Sequence, residues 1–329
     1  MEPSATWAEI GAQAIFHTVV ASLYVEALVR SWRVREPRQR MVLRLVALGY
    51  PLVLFPALVI LFPARADDAF RDGPALLVAR RWSEVRLLGV GLFELGLVAF
   101  AALGAILFLM DLVPLLRARR RPRPEPGLPD PRSAAALAEL PALARALGIS
   151  PPPVVFLERD QPVLFCTGVR RHTVVVSRGA VRLLDAEELR AALAHELAHL
   201  ARHDPGASWV VMAARALMFF NPAFQVLARA IVRDAEWLAD ERGAEASGDR
   251  LALASGLIKL HRATAGPTPV RRTLPFATAL AEPLARVRSL DVEVRCRRLL
   301  DGPPRRLPYL GARVLVTAAS LTALLFFVV

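Results

Sequence analysis

His195-Glu196-Leu197-Ala198-His199 is an HExxH: two histidines four residues apart, with a carboxylate next to the first. On a helix, positions 195 and 199 lie one above the other on one face. Two neutral imidazoles can then reach one zinc ion, and Glu196 stands beside them to take a proton from a water that the ion polarises. The bland alternative is a surface helix with two solvated histidines. The clustering of His195, His199 and His203 within nine residues, and a suitable third ligand downstream, count against it.

A tetrahedral catalytic zinc takes three protein ligands and leaves one position open. A histidine six residues beyond His199 would fall at Pro205, and position 202, where the metzincin pattern needs glycine, is Arg202, so that class is excluded. The other source is a glutamate on a second helix. Within residues 231–243, Glu236 and Asp240 stand four apart and share a helical face. Glu236 can bind the metal while Asp240 accepts the outer N–H of a ligand histidine, fixing its tautomer and raising its basicity. The competing reading of this pair is a solvated acidic face, with Asp234, Glu241 and Glu245 nearby. His203 reads as polar decoration at a helix end.

The elements that must position these residues have their own signals. Asp185 with Glu188 three residues later is a capping-box start, and Asp204-Pro205-Gly206 is a stop. Between them Leu189, Ala192, Leu193, Leu197 and Leu200 recur at helical spacing. Upstream, a Pro/Arg-rich stretch reads as an extended linker, followed by an Ala/Leu helix from about residue 133 to 147. Strand-like pieces come next at 154–157, 163–165 and 173–177, separated by turn residues. Residues 207–232 are strongly apolar but broken by Asn221-Pro222 and carry Arg215 and Arg229. They fit two helices lying against or dipping into a bilayer, the second running from about Pro222 through Glu236 to Gly243.

Hydrophobic residues make up 55% of the chain and charged residues 22%, and the mean hydropathy is +0.40. Residues 10–29, 45–64, 87–110 and 307–329 are apolar runs near the roughly 20 residues that a transmembrane helix needs, and all four are predicted to span a membrane. No removable signal peptide is indicated. His17, Glu26 and Glu94 fall inside spans and could form a proton or ion relay. The simpler reading is that they face other helices or lie near an interface.

Arginines set the expected orientation. They cluster after the first span (Arg30, Arg33, Arg35, Arg38, Arg40, Arg44), after the third (Arg117, Arg119, Arg120, Arg121, Arg123) and before the last (Arg305, Arg306). The positive-inside rule puts the N-terminus outside and residues 117–306 in the cytoplasm of a cell whose inner membrane holds the chain. The net charge of +12 could suggest nucleic acid, but basic residues at span ends are explained by the anionic inner leaflet, and no nucleic-acid binding is expected. Cys166 and Cys296 then lie on the reducing side, where a disulfide is not expected, and without a CxxC a cysteine-based zinc site is out. The expected layout is three transmembrane helices in 1–116, a linker at 117–132, a cytoplasmic domain at 133–306 with membrane-associated helices around 207–232, and a final transmembrane helix at 307–329.

The run from Ser177 to Asp204 resembles the core of the integral-membrane gluzincin peptidases. Phe219-Phe220-Asn221-Pro222, then Arg233-Asp234-Ala235-Glu236 with Ala239-Asp240, resembles the antibiotic-sensor branch (peptidase family M fifty-six), whose members cleave a cytoplasmic repressor. The related heat-shock and CAAX protease branch (family M forty-eight) shares HExxH and E-x-x-x-D. The resemblance implies a multi-span α-helical membrane protein with a mainly helical zincin-like metallopeptidase domain, a small β-sheet beside the HExxH helix. It implies one zinc per chain, with His195, His199 and Glu236 as ligands, Glu196 as base and Asp240 behind them. The strand Thr173, Val174, Val175, Val176 and Ser177 would be the edge on which an extended substrate adds. The sensor branch often carries a penicillin-binding domain after its last span. The residues up to Val329 hold none, so β-lactam sensing is not among the expectations. The function expected is zinc-dependent hydrolysis of peptide bonds in a cytoplasmic or membrane-proximal protein, with a transcriptional repressor as one kind of substrate. The alternatives are a non-proteolytic regulator that keeps zinc as a structural or sensing element and a transporter-like protein.

Overall fold

A computed structural model describes residues 7–76, 78, 86–87, 90–119, 134, 137–167, 172–202, 204–264, 291–304 and 306–329. Helix α1 (Trp7–Ser31) is followed by α2 (Pro37–Gly49), which opens on Pro37 with Glu36 accepting from the Gln39 N–H at 3.1 Å. Pro51 lacks the N–H that an α-ladder would use, and the helix widens into a π-turn at Tyr50–Leu54 before resuming as α3 (Phe55–Leu61). One helical rod therefore runs over Pro37–Leu61 despite its prolines. A 3-10 turn and the short α4 (Asp68–Asp72) come next.

The third apolar run starts later than its hydropathy suggests. Arg86–Leu87 (β1) and Val90–Gly91 (β2) pair antiparallel, and α5 begins at Leu92 and runs to Arg119. Glycines on both sides of β-branched Val90 make this a poor helix start, which a hydropathy reading ignores.

The remaining elements are α6 (Leu140–Ala146), strands β3 (Val154–Leu157), β4 (Leu164–Thr167) and β5 (Thr173–Ser177), α7 (Arg178–Leu183), α8 (Ala186–Ala201), α9 (Asp204–Leu217), α10 (Pro222–Ser247), α11 (Arg250–Thr264), a helix α12 over 291–301, and α13 (Leu310–Phe326). Asp204-Pro205 ends α8 and opens α9 in one step. Asn221 breaks α9 from α10 and caps the latter, its Oδ1 accepting from the Phe224 N–H at 3.1 Å. The linker and the start of the helix predicted at 133 lie largely outside the described residues.

Two compact units divide the chain. One holds Met1–Arg121, Val210–Ala235 and Arg305–Val329, the other Pro122–Trp209 and Glu236–Pro304. In the first, Gly11–Ser31, Pro37–Leu61 and Leu95–Val113 are helices long and apolar enough to cross a membrane, while α13, predicted as a fourth span, is 17 residues long. Its core joins Val25 and Leu43 to Phe224, Leu227 and Ile231 of α10, and to Leu321 and Leu325 of α13.

Polar groups in this unit are tied from helix to helix. His17 is buried with Nε2 2.9 Å from the Val328 carbonyl and its ring edge-on to Phe55. Arg44 donates to Glu26 at 2.6 Å and pairs with the fully buried Asp234, which Arg40 also reaches at 3.4 Å. Arg215 and Arg229, which spoil residues 207–232 as a plain span, both donate to Asp111 of α5, at 2.5 and 2.9 Å. His17 and Glu26 are thus packing and pairing groups. The side chain of Glu94 lies outside the described residues.

In the second unit β5 lies between the other two strands. It pairs parallel with β3 and antiparallel with β4, in the order β3-β5-β4. This corrects the expectation that Thr173, Val174, Val175, Val176 and Ser177 form a substrate-binding edge. Both edges of β5 are already hydrogen-bonded, and Val174, Val175 and Val176 are buried. A valine run buried on both faces is the pattern of an inner strand, not of an edge. The free edge on the antiparallel side belongs to β4, among the described residues. Helix α8 packs Leu189, Leu193, Leu197 and Leu200 into the same core as Val174 and Val176. Its capping box is formed as predicted, Asp185 and Glu188 each accepting from the other's backbone N–H. Glu188 also takes bonds from Ser255 at 2.6 Å and Lys259 at 2.5 Å, pinning α11 to the start of α8.

Removing Arg44 would leave Glu26 without its hydrogen-bonded partner and the fully buried Asp234 with Arg40 alone, so Arg44→Met is expected to lower stability by about 3–5 kcal/mol. Thermal unfolding of the purified chain in detergent measures it; a loss below about 0.5 kcal/mol, the size of an exposed pair, contradicts the network.

Candidate metal centre

Helix α8 sets His195 and His199 one turn apart, with ring centroids 4.8 Å apart and the planes nearly perpendicular at 87°. Their Nε2 atoms lie 3.2 Å from each other. Glu236 on α10 brings Oε1 to 3.5 Å from His199 Nε2 and Oε2 to 3.8 Å from His195 Nε2. Donor atoms on a tetrahedral zinc with ~2.0–2.1 Å bonds stand about 3.3 Å apart, so these three are spaced to share one ion. They form the one group of three or more such side chains, among the described residues, whose donor atoms all lie within 4.8 Å of one another. Two imidazole nitrogens and one carboxylate oxygen are a donor set that suits zinc.

Two features hold the glutamate there. A Cβ on Gly243 would sit 2.7 Å from the Cα of His195, so only glycine lets α10 come this close to α8. Behind the cluster, Asp240 places Oδ1 3.0 Å from His195 Nδ1, leaving Nε2 turned toward His199 and Glu236. Arg295 of α12 then grips both carboxylates. It donates to Asp240 through Nε at 2.8 Å and Nη2 at 2.7 Å, and lies 3.2 Å from Glu236 through Nη1. Burial alone would raise the Asp240 carboxyl, but the bonds from Arg295 and His195 outweigh it and hold the group down at about 2. Asp240 therefore stays an anion beside His195 Nδ1.

Glu196 turns toward the sheet. Its Oε2 accepts from the Cys166 N–H of β4 at 3.0 Å, and its carbonyl lies 3.2 Å from the Cys166 Sγ. Cys166 pairs with Val174 on the other side of β4, so the donated N–H belongs to the edge that is open among the described residues. Burial pushes the Glu196 carboxyl above its ordinary range; His195 and His199 oppose that and Glu236 reinforces it. Burial likewise raises the Cys166 thiol, with Glu196 adding to the effect.

His195, His199, Glu236 and Asp240 are thus brought together, with Glu196 beside them. His203 lies outside the described residues. Arg295 was missed, since it stands 55 residues beyond Asp240 and belongs to no motif. A weak signal exists: Val292, Cys296 and Leu299 pack into one core, and Arg295 interrupts that apolar stripe at helical spacing.

A helix with two histidines, a carboxylate from a second helix and a strand edge alongside is the arrangement of a gluzincin peptidase. The family described as BlaR1 peptidase M56 matches residues 95–282, more than half of the chain, and the chain belongs to that family. Among curated proteins, the Protease HtpX homolog of Ralstonia pickettii (strain 12J) is 33% identical over 173 residues, covering 43% of this chain and 58% of that protein. The Protease HtpX homolog of Burkholderia mallei (strain SAVP1) is 32% identical with the same coverage. The chain therefore spans less than two thirds of the length of these relatives. No solved structure matches it.

Arg295→Met would leave Asp240 buried without its partner, and a loss of about 3–5 kcal/mol is expected. Arg295→Lys, which keeps the charge but not the fork, is expected to recover only part of it. Unfolding curves of both variants decide; equal stability of Met and wild type would mean the guanidinium holds nothing. Gly243→Ala tests the close approach separately, because the added methyl meets backbone atoms that cannot swing aside. Its folded yield and stability should fall, whereas unchanged stability would show that α10 has slack there.

Proposed function

We propose that this chain is a membrane-embedded zinc endopeptidase that hydrolyses peptide bonds of a cytoplasmic or membrane-proximal protein. The observation that carries the reading is the His195, His199 and Glu236 donor cluster, spaced for one ion, with the Glu196 carboxylate alongside. The relatives' own description as proteases agrees with it. His195, His199 and Glu236 would hold the zinc, and Asp240 with Arg295 would orient them. Bound there, zinc supplies Lewis acidity toward the scissile carbonyl and the attacking water. Glu196 takes the proton from that water and returns it to the leaving amine.

The substrate would add as an extended strand on the open edge of β4, where the Cys166 N–H now rests on Glu196. A chain docked there runs beside the base, and the Cys166 N–H becomes available to a substrate carbonyl. The arginine clusters favour an outside N-terminus and a cytoplasmic catalytic domain. A transcriptional repressor is one substrate of this kind. The rival reading, a non-proteolytic zinc regulator, leaves Glu196 only its bond from the Cys166 N–H, since a purely structural zinc has no use for a base.

Glu196→Gln is expected to retain stoichiometric zinc while cleavage of an unfolded test protein in detergent falls by at least about 10²-fold. Undiminished cleavage would remove Glu196 from the mechanism, and a wild-type protein that binds zinc but never cleaves would favour the regulator. Glu236→Ala is expected to lose zinc to a chelator that wild type resists; if it holds zinc as tightly, Glu236 is not a ligand.

A further inference from the structure

A cavity of about 500 Å³ lies in the first unit between α1, α5 and α10, apart from the residues of the metal centre. Its volume is within the ~300–1,000 Å³ range of ligand sites. One part of its wall is apolar: Val19 and Leu23 of α1, Phe100 and Leu103 of α5, and Val226 of α10. Leu23, Leu103 and Val226 are 67%, 46% and 58% exposed. α1 and α5 are long and apolar enough to cross a membrane, so this wall opens toward acyl chains.

The other part is basic. Arg30 and Arg233, both exposed, line it and make no ion pair among the described residues, while Arg44 is already committed to Glu26 and Asp234. With Arg40 also paired to Asp234, the end of the cavity sets four guanidiniums against two carboxylates. Between the two parts Ser22 lines the cavity with a buried hydroxyl that has no hydrogen-bond partner among the described residues.

The polarity is graded along the helices. Ala14 and Thr18 of α1 meet Asn221 at the start of α10, and Glu26 and Asp234 share Arg44 further on. α1 and α10 therefore run in the same direction along the cavity. Both place an arginine at the same end, Arg30 and Arg233, and apolar residues toward the other, Val19 and Val226. At 1.5 Å per residue, Ser22 lies roughly 12 Å below Arg30.

We propose that this cavity is a binding site for an anionic phospholipid. The phosphate sits between Arg30 and Arg233, a glycerol-ester oxygen accepts from Ser22, and one acyl chain lies along Val19, Leu23, Leu103 and Val226. Two surplus guanidiniums beside an apolar wall match a headgroup of net negative charge better than a zwitterionic one, or an apolar peptide segment with no anion.

The test uses the full-length protein in detergent, presented with equal amounts of phosphatidylglycerol and phosphatidylcholine of the same acyl chains, with retained lipid counted by native mass spectrometry. Wild type is expected to retain phosphatidylglycerol preferentially. Arg30→Gln with Arg233→Gln should reduce that preference by roughly 25-fold, about fivefold per guanidinium. Leu103→Trp, which fills the apolar end and leaves the arginines in place, should also reduce retention of phosphatidylglycerol. Equal retention of both lipids by wild type overturns the proposal, as does an undiminished preference in the double arginine variant. Displacement of the lipid by inorganic phosphate at millimolar concentration also overturns it, because the site would then be one for a free anion.

Discussion

Donors on two separate helices can share one small ion only when the helix backbones come close together. Here that approach depends on a missing side chain. Any β-carbon at Gly243 would collide with the backbone of His195, and without it the carboxylates one and two turns earlier on α10 reach the imidazoles of α8. Arg295 completes the arrangement from a third helix. It pairs with both Asp240 and Glu236, so two carboxylates can stand near each other and still present acceptors to the histidines. The candidate metal centre is a consequence of packing first and of ligand chemistry second.

The same logic of charge kept by a partner runs through the first unit. Arg44 with Glu26 and Asp234, and Asp111 with Arg215 and Arg229, put ions where an isolated charge would be costly. The pairs with Asp234 and Asp111 join helices distant in sequence. These residues read from sequence as blemishes in apolar runs, and their pairing turns them into the ties between runs. Arg30 and Arg233 differ in having no such partner among the described residues, which is what sets their cavity apart.

Glu196 shows how one side chain can serve both the strand and the site. In this structure its carboxylate satisfies the outward N–H of Cys166, a backbone donor that an unpaired edge would otherwise expose. Under the proposed function, a substrate strand would supply that donor with a carbonyl and free the carboxylate for proton transfer. The proposed base and the proposed docking edge would then be linked through a single hydrogen bond.

Much of this protein was legible in the sequence because much of it is local. The HExxH spacing, the E-x-x-x-D spacing, the Asp185–Glu188 capping box, the Asn221-Pro222 break and the apolar runs all depend on residues within one or two helical turns of each other. Hydrogen-bond geometry and helical periodicity set such features whatever surrounds them. The partners of Arg295, the partners of Asp111 and the open edge at β4 were decided only by the tertiary structure. The expected edge at Thr173–Ser177 failed for that reason. A strand's own residues reveal that it is extended, but whether one or both of its edges are paired depends on where β3 and β4 come to lie. Side-chain pairs separated by tens of residues leave no periodic trace, and their energies exist only once the chain has brought them together.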